Sequence, residues 1–127
     1  MAGLVRLDTH VLVWLYTGEI ERLSAAAIET IEGHVPFISP MVLLELTYLH
    51  EIGRLTVSGA EIVGDLQERI GLRLSDASMS AVVHAAASLS WTRDPFDRMI
   101  VADAIVAATD LVTKDDRIRE HITFARW

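Results

Sequence analysis

Hydrophobic and polar positions along this chain switch repeatedly between a short strand-like pattern and a helical one. Leu4-Val5-Arg6-Leu7 is a strand-like run ending at Asp8-Thr9, after which Val11, Leu12, Trp14, Leu15 and Tyr16 recur at helical spacing until Gly18. Ser24 suits the cap of a helix through Ile31. Val35-Pro36-Phe37-Ile38 predicts a second strand, running into Ser39-Pro40, a cap followed by proline at the first helical position. The helix that follows extends to about Ile52 and stops at Gly53. Ser58-Gly59-Ala60-Glu61 has capping-box spacing and opens a helix ending near Gly71, with Leu72-Arg73-Leu74 as a further strand. A helix over Met79 to Ser88, another from Asp94-Pro95 to Thr109, a strand at Leu111-Val112-Thr113 and a last strand at Ile122-Thr123-Phe124 complete the pattern. Strands that alternate with helices predict an α/β fold whose mostly parallel sheet is covered on both faces.

A chain of 127 residues without a Pro/Gly/Ser-rich linker or internal repeat is expected to form a single domain over residues 1–127. Asp8, Glu45 and Asp97 interrupt the best apolar stretches, so no membrane helix is expected and the N-terminus does not read as a secretory signal. The expected location is the cytoplasm. Cysteine is absent, which removes disulfides, thiol nucleophiles and thiolate metal sites. The net charge of −7 argues against a broad basic face for gripping nucleic acid and favours recruitment of cations or of a basic partner.

Several carboxylates stand where carboxylates are costly. At helical spacing Glu45 shares a face with Met41, Val42, Tyr48, Leu49 and Ile52, which predicts an inward-facing acid. Burying it ionised costs several kcal/mol unless a cation or a set of donors compensates, a Tyr or Arg partner being the structural alternative. Asp97 shares its face with Ile100, Val101, Ala104 and Ala108. Asp94 and Asp97 also fit as cap and third residue of a helix whose first residue is Pro95, so both could serve only the helix start. Asp8 and Asp115 each follow a short hydrophobic strand, and in an open parallel sheet the ligand crevice lies beyond the carboxyl ends of the strands. Either could be a helix cap instead, and Asp116 substitutes closely for Asp115. Residues 94–116 hold six of the nine Asp and none of the nine Glu, although Asp103 and Asp110 are expected to face solvent or a turn.

Asp8, Glu45, Asp97 and Asp115 thus form a candidate cluster drawn from four parts of the chain. Crowded carboxylates repel one another and raise their pKa values unless a divalent cation sits among them. Oxygen-only ligation favours Mg²⁺, with Mn²⁺ as a substitute, over zinc. The five His show no HExxH or close paired spacing and read as surface or core residues. Arg93, Arg98, Lys114, Arg117 and Arg119, five of the eleven basic residues, flank the acids and could hold phosphates, with Arg98 the best single candidate. Thr113 is a further candidate for support or substrate contact through its hydroxyl.

Leu7-Asp8-Thr9-His10, Glu45 within Ser39-Pro40-Met41-Val42-Leu43-Leu44-Glu45-Leu46, Asp94-Pro95-Phe96-Asp97-Arg98-Met99-Ile100-Val101-Ala102, and Leu111-Val112-Thr113-Lys114-Asp115 together resemble the PIN-domain ribonucleases, specifically the VapC toxins of toxin–antitoxin pairs. The resemblance implies that Asp8, Glu45 and Asp97 hold the metal and that Asp115 is the fourth acid. Asp94 then belongs to an Asp-Pro-Phe-Asp variant whose second Asp carries the metal role. Thr9-His10 departs from the Thr-Ser or Thr-Asn of many members. The resemblance further implies an α/β/α sandwich, a homodimer, a VapB antitoxin that blocks the site, and Mg²⁺-dependent cleavage of RNA at a structured tRNA or rRNA loop. One rival is a catalytically silent α/β interaction module whose acids are only caps. Another, a phosphatase or phosphoacceptor around Asp8, lacks the Asp-x-Asp or adjacent acidic pair that it requires.

Overall fold

In the computed structural model, which describes residues 3–127, the alternating pattern becomes strands β1 (Leu4–Leu7), β2 (Val35–Ile38), β3 (Arg73–Leu74), β4 (Asp110–Val112) and β5 (Ala125–Arg126). Between them lie helices α1 (Thr9–Thr17), α2 (Ala25–Glu32), α3 (Pro40–Glu51), α4 (Gly59–Ile70), α5 (Met79–Ala86), α6 (Pro95–Ala107) and α7 (Asp116–His121), with a 3-10 turn at Ile20–Arg22. All strand pairs are parallel, in the order β3-β2-β1-β4-β5. β1 is therefore central, and its Val5, Arg6 and Leu7 are buried. The expected α/β class and α/β/α layering are what this arrangement delivers.

Local chemistry sets the boundaries. Ser24, Ser39, Ser58 and Ser78 each place a side-chain oxygen on a free amide at the start of α2, α3, α4 and α5. Gly18 and Gly71 end α1 and α4 with positive φ, a conformation that disfavours side chains. Gly59 serves a different need: a Cβ there would sit 3.0 Å from Leu46 Cβ and 3.1 Å from Leu43 O, so its absence lets α4 close on α3. Leu7, Leu12, Ile38, Leu46, Ile62, Leu66, Ile100, Leu111 and Ile118 are fully buried in one core, each worth about 1.5–3 kcal/mol of burial.

Three expectations are corrected. The last strand is Ala125–Arg126, not Ile122–Phe124, because Ile122 closes α7 and is buried against the core. α6 stops at Ala107, where Ala108 turns into the left-handed region at φ 55°. Asp103, expected at solvent or a turn, lies within the buried stripe of α6 and is 2% exposed. Its neutralising partner is Arg6 of β1, whose Nε donates to Asp103 Oδ2 at 3.1 Å while Nη2 donates to Ser75 Oγ at 3.1 Å. The Ser75 hydroxyl closes the triangle onto Asp103 Oδ1 at 2.7 Å, and the guanidinium lies 4.9 Å from the Phe37 ring centre. Asp110 does sit near the surface, paired with Arg126 at 3.2 Å.

Candidate active site

The sheet order reverses beside β1: the chain builds β2 and β3 to one side and returns to place β4 and β5 on the other. In parallel sheets a crevice opens at such a reversal, beyond the carboxyl ends of the strands. Asp8 follows β1 there, and Thr113, Lys114 and Asp115 follow β4. The Asp8 amide donates to Val112 O at 3.0 Å, so the ladder itself aligns the two strand ends.

Asp8 is 7% exposed and held at both oxygens. Oδ1 accepts from the Thr9 amide at 2.8 Å, capping α1, and Oδ2 accepts from the Thr113 hydroxyl at 2.6 Å. Thr113 Oγ1 also accepts from the Asp115 amide at 3.0 Å, which links the first acid to the last through one buried hydroxyl. That hydroxyl is fully buried and engaged at both acids. Asp115 caps α7 with Oδ1 on the Ile118 amide at 3.0 Å. Asp116 pairs with Arg119 at 2.6 Å and is largely exposed, whereas the charge of Asp115 acts on both Asp8 and Asp97.

Glu45 is half-buried, not inward-facing as its neighbours suggested. α3 buries only Val42 and Leu46, leaving Tyr48 and Ile52 exposed and Glu45 at the margin, where its carboxylate emerges into the crevice. Its partner is neither Tyr nor Arg: the Thr9 hydroxyl donates to Glu45 Oε1. Thr9 thus bridges Asp8 and Glu45, with its amide on one and its hydroxyl on the other. Sequence reasoning assigned it no role, and its only signal was its place directly after the strand-end acid. Tyr48 stacks on Phe96 at 6.0 Å, joining the helix of Glu45 to the start of α6. There Asp94 caps α6 through Phe96 N (2.8 Å) and Asp97 N (3.3 Å), leaving the Asp97 carboxylate free of capping duty.

Burial and mutual repulsion both act on these acids. Burial pushes the Asp8 carboxyl up, opposed by the Thr113 hydroxyl and the Thr9 amide, with Asp115 pushing it further up. Glu45 is raised by burial and by the charges of Asp8 and Asp94, against the Thr9 hydrogen bond and the charge of His10. Asp97 is pushed up to about 7, by burial first and then by Asp94, Asp8, Asp115 and Glu45 in turn. None of these five acids has a Lys or Arg ion-pair partner among the described residues.

The flanking basic residues are mostly engaged elsewhere. Arg98 Nε donates to Thr92 O at 2.9 Å, Arg93 to Ser90 O at 3.0 Å and Arg117 to Trp91 O, so they brace the segment leading into α6. All five His are exposed. An unneutralised set of carboxylate oxygens, without sulfur or imidazole donors, fits a hard divalent cation. Among the described residues no three or more acidic or His side chains stand close enough together to hold a metal ion as they are placed, so Asp8, Glu45 and Asp97 would have to draw in around one.

The sequence pattern of the PIN domain matches residues 5–122. Ribonuclease VapC22 of Mycobacterium tuberculosis (strain ATCC 25618 / H37Rv) is 36% identical over 121 residues, covering 92% of this chain and 91% of that protein. Two solved structures share the fold. A chain of the VapBC2 structure from Rickettsia felis, bound to a DNA fragment from their promoter, superposes with a TM-score of 0.62 at 18% identity, covering 92% of each chain. A chain of DNA-bound VapBC from Salmonella typhimurium does so with 0.63 at 21% identity, covering 99% of this chain and 96% of that one. No helix among the described residues is long and apolar enough to cross a membrane. A chain whose sequence pattern, strand order and crevice all agree in this way belongs to the PIN-domain family and, within it, to the VapC toxins.

Proposed function

We propose that this chain is an endoribonuclease toxin that depends on a divalent cation, Mg²⁺ first and Mn²⁺ as substitute, and is restrained by a VapB-type antitoxin. The observation that carries this reading is the hydrogen-bonded run at the ends of β1 and β4, from the Asp115 amide through Thr113 to Asp8 and from Asp8 through Thr9 to Glu45, with neither these acids nor Asp97 in a Lys or Arg ion pair among the described residues and Asp97 pushed up to about 7. The ribonuclease relative supports RNA as substrate, and the VapBC neighbours support the antitoxin.

Asp8, Glu45 and Asp97 would hold the ion, with Asp115 at the margin of the site. When bound, the ion supplies Lewis-acid polarisation of a phosphodiester and a water of lowered pKa. The protein contributes fixed geometry. Thr113 and the Thr9 amide lock both oxygens of Asp8, the Thr9 hydroxyl aims Glu45, and the Asp94 cap holds the first turn of α6 so that Asp97 faces the other acids. Such preorganisation spares the acids reorganisation when charge develops on the phosphate. We also read residues 1–127 as one PIN unit acting in the cytoplasm as a homodimer, since Leu44, Tyr48 and Ile52 form an exposed apolar row along α3 that suits a second copy.

Incubating Mg²⁺-loaded protein and its Asp97→Asn variant with total cellular RNA, then mapping new 5′ ends, tests the reading. Discrete cuts made by the unsubstituted protein and lost in Asp97→Asn are expected, most informatively within a tRNA or rRNA loop. Equal cleavage by both proteins, or none by either, contradicts it and returns the silent interaction module to first place.

A further inference from the structure

An acidic crevice that attracts a cation also repels RNA, so phosphates must be steered by positive groups beside it. The residues that sequence pointed to are poorly placed for this. Arg93, Arg98 and Arg117 donate to backbone carbonyls of residues 90–92, and Arg119 pairs with Asp116. Lys114, next to Asp115, is the exception. It is exposed, makes no hydrogen bond or ion pair among the described residues, and sets Nζ 5.8 Å from the centre of the Trp14 ring.

Trp14 gathers more than Lys114. The guanidinium carbon of Arg22 also lies 5.8 Å from its ring centre, on an exposed side chain that pairs with the half-exposed Glu19 at 3.2 Å. His10, one helical turn before Trp14 on α1, tilts against it at 6.1 Å, and Trp127 meets it edge-on at 6.1 Å. Both cations stand near the outer limit of about 6 Å for attraction to an aromatic face, so Lys114 is free to turn toward an anion, and Arg22 can do so by exchanging its surface pair with Glu19, a pair worth little. The cluster borders the acids on two sides: His10 is two residues from Asp8, and Lys114 adjoins Asp115. Elsewhere a half-buried tryptophan is ordinary packing. Here an unengaged lysine beside Asp115, a second exposed cation and an imidazole surround a single indole. Stacking surface interleaved with mobile positive charge is the chemistry that holds single-stranded nucleic acid.

We propose that Trp14, Lys114, Arg22 and His10 form the RNA-docking platform of this protein, a base of an unpaired strand stacking on the Trp14–His10 surface while Lys114 and Arg22 take the phosphates beside the scissile bond. The proposal rests on the nuclease reading for its substrate class. It moves substrate contact away from Arg98 and onto the α1 side of the crevice.

Binding of a fluorescein-labelled single-stranded RNA oligonucleotide, followed by anisotropy in the Asp97→Asn background so that nothing is cut, tests it. Trp14→Leu should raise Kd roughly five- to hundredfold, the range of one lost base stack. Lys114→Ala should weaken binding and lower the slope of log K against log salt by about 0.7, the release expected for one phosphate contact on a single strand. Arg119→Ala should move neither quantity. If Trp14→Leu fails to fold, the comparison of Lys114→Ala with Arg119→Ala decides alone, both side chains being exposed. Equal effects of those two substitutions, or an unchanged Kd in a folded Trp14→Leu, overturn the platform. RNA cleavage by the unsubstituted protein is scored separately. Binding that depends on Lys114 without any cleavage would overturn the nuclease reading and keep the platform, whereas cleavage with affinity unmoved by these substitutions would do the reverse.

Discussion

Asp8 and Asp103 are both buried aspartates, 7% and 2% exposed, yet the protein treats them oppositely. Asp103 faces Arg6 and Ser75, so a cation and a hydroxyl answer its charge inside the fold. Asp8 is held by a hydroxyl and an amide, feels the charge of Asp115, and has no Lys or Arg ion pair among the described residues. Two residues apart, Arg6 within β1 and Asp8 just past its end therefore mark the division between a buried charge that is neutralised to hold the structure and one left open for something to bind. The comparison teaches how to sort acids in an acidic protein: by whether the fold supplies the counter-charge, more than by burial.

Breaking the neutralised side has the largest expected effect. Arg6→Met strands the Asp103 carboxylate in the core and should cost about 3–5 kcal/mol in urea unfolding, while the Arg6→Met/Asp103→Leu double substitution should recover most of that loss. Equal instability of the single and double variants would show that the pair matters for packing and not for charge. On the open side, Thr113→Val removes one hydrogen bond from Asp8 and the acceptor of the Asp115 amide, and about 1–3 kcal/mol of destabilisation is expected. Loss of RNA cleavage at a concentration where the variant is still folded would separate its orienting role from stability. Asp8→Asn sharpens the contrast by its small size. The amide keeps an oxygen for capping while removing a charge that burial disfavours, so metal-free stability should change by less than about 1 kcal/mol, in clear distinction from Asp103→Asn.

The parts of this account that were legible in sequence share one physical trait: their determinants are neighbours along the chain. Ser-Pro and Asp-Pro caps, the capping box at Ser58–Glu61 and the strand ends at Asp8 and Thr113 can be recognised within a few residues, and so could the α/β alternation and the candidate acids. What failed was long-range. Arg6 and Asp103 are 97 positions apart, and nothing local distinguishes a charge that will find a partner across the sheet. Glu45 looked inward because its neighbours are apolar, but the exposed row Leu44, Tyr48 and Ile52 shows that α3 keeps apolar side chains at the surface as well. The basic residues near the acids read as phosphate contacts, while backbone carbonyls of the segment before α6 claim most of them. Trp14 read as part of a helix face, since its surrounding cations come from Arg22 and Lys114, far from each other in the chain.

The central claim is that the crevice acids are tolerable together only when a divalent cation joins them. Ionising Asp97 penalises the folded state more than the unfolded chain, because its pKa in the fold is raised to about 7. Between the ordinary carboxylate range and that value the native state binds the extra proton, so metal-free stability should fall as pH rises through this window and level off above it. Bound Mg²⁺ should offset the loss, by about 2.7 kcal/mol when the ion exceeds its dissociation constant a hundredfold. Thermal melting with and without Mg²⁺ at about pH 8 and about pH 5, for the unsubstituted protein and Asp97→Asn, tests this directly. The account predicts an Mg²⁺-dependent rise in Tm at the higher pH that shrinks at the lower one and is lost in Asp97→Asn; a Tm indifferent to Mg²⁺, or an equal rise in both proteins, would contradict it.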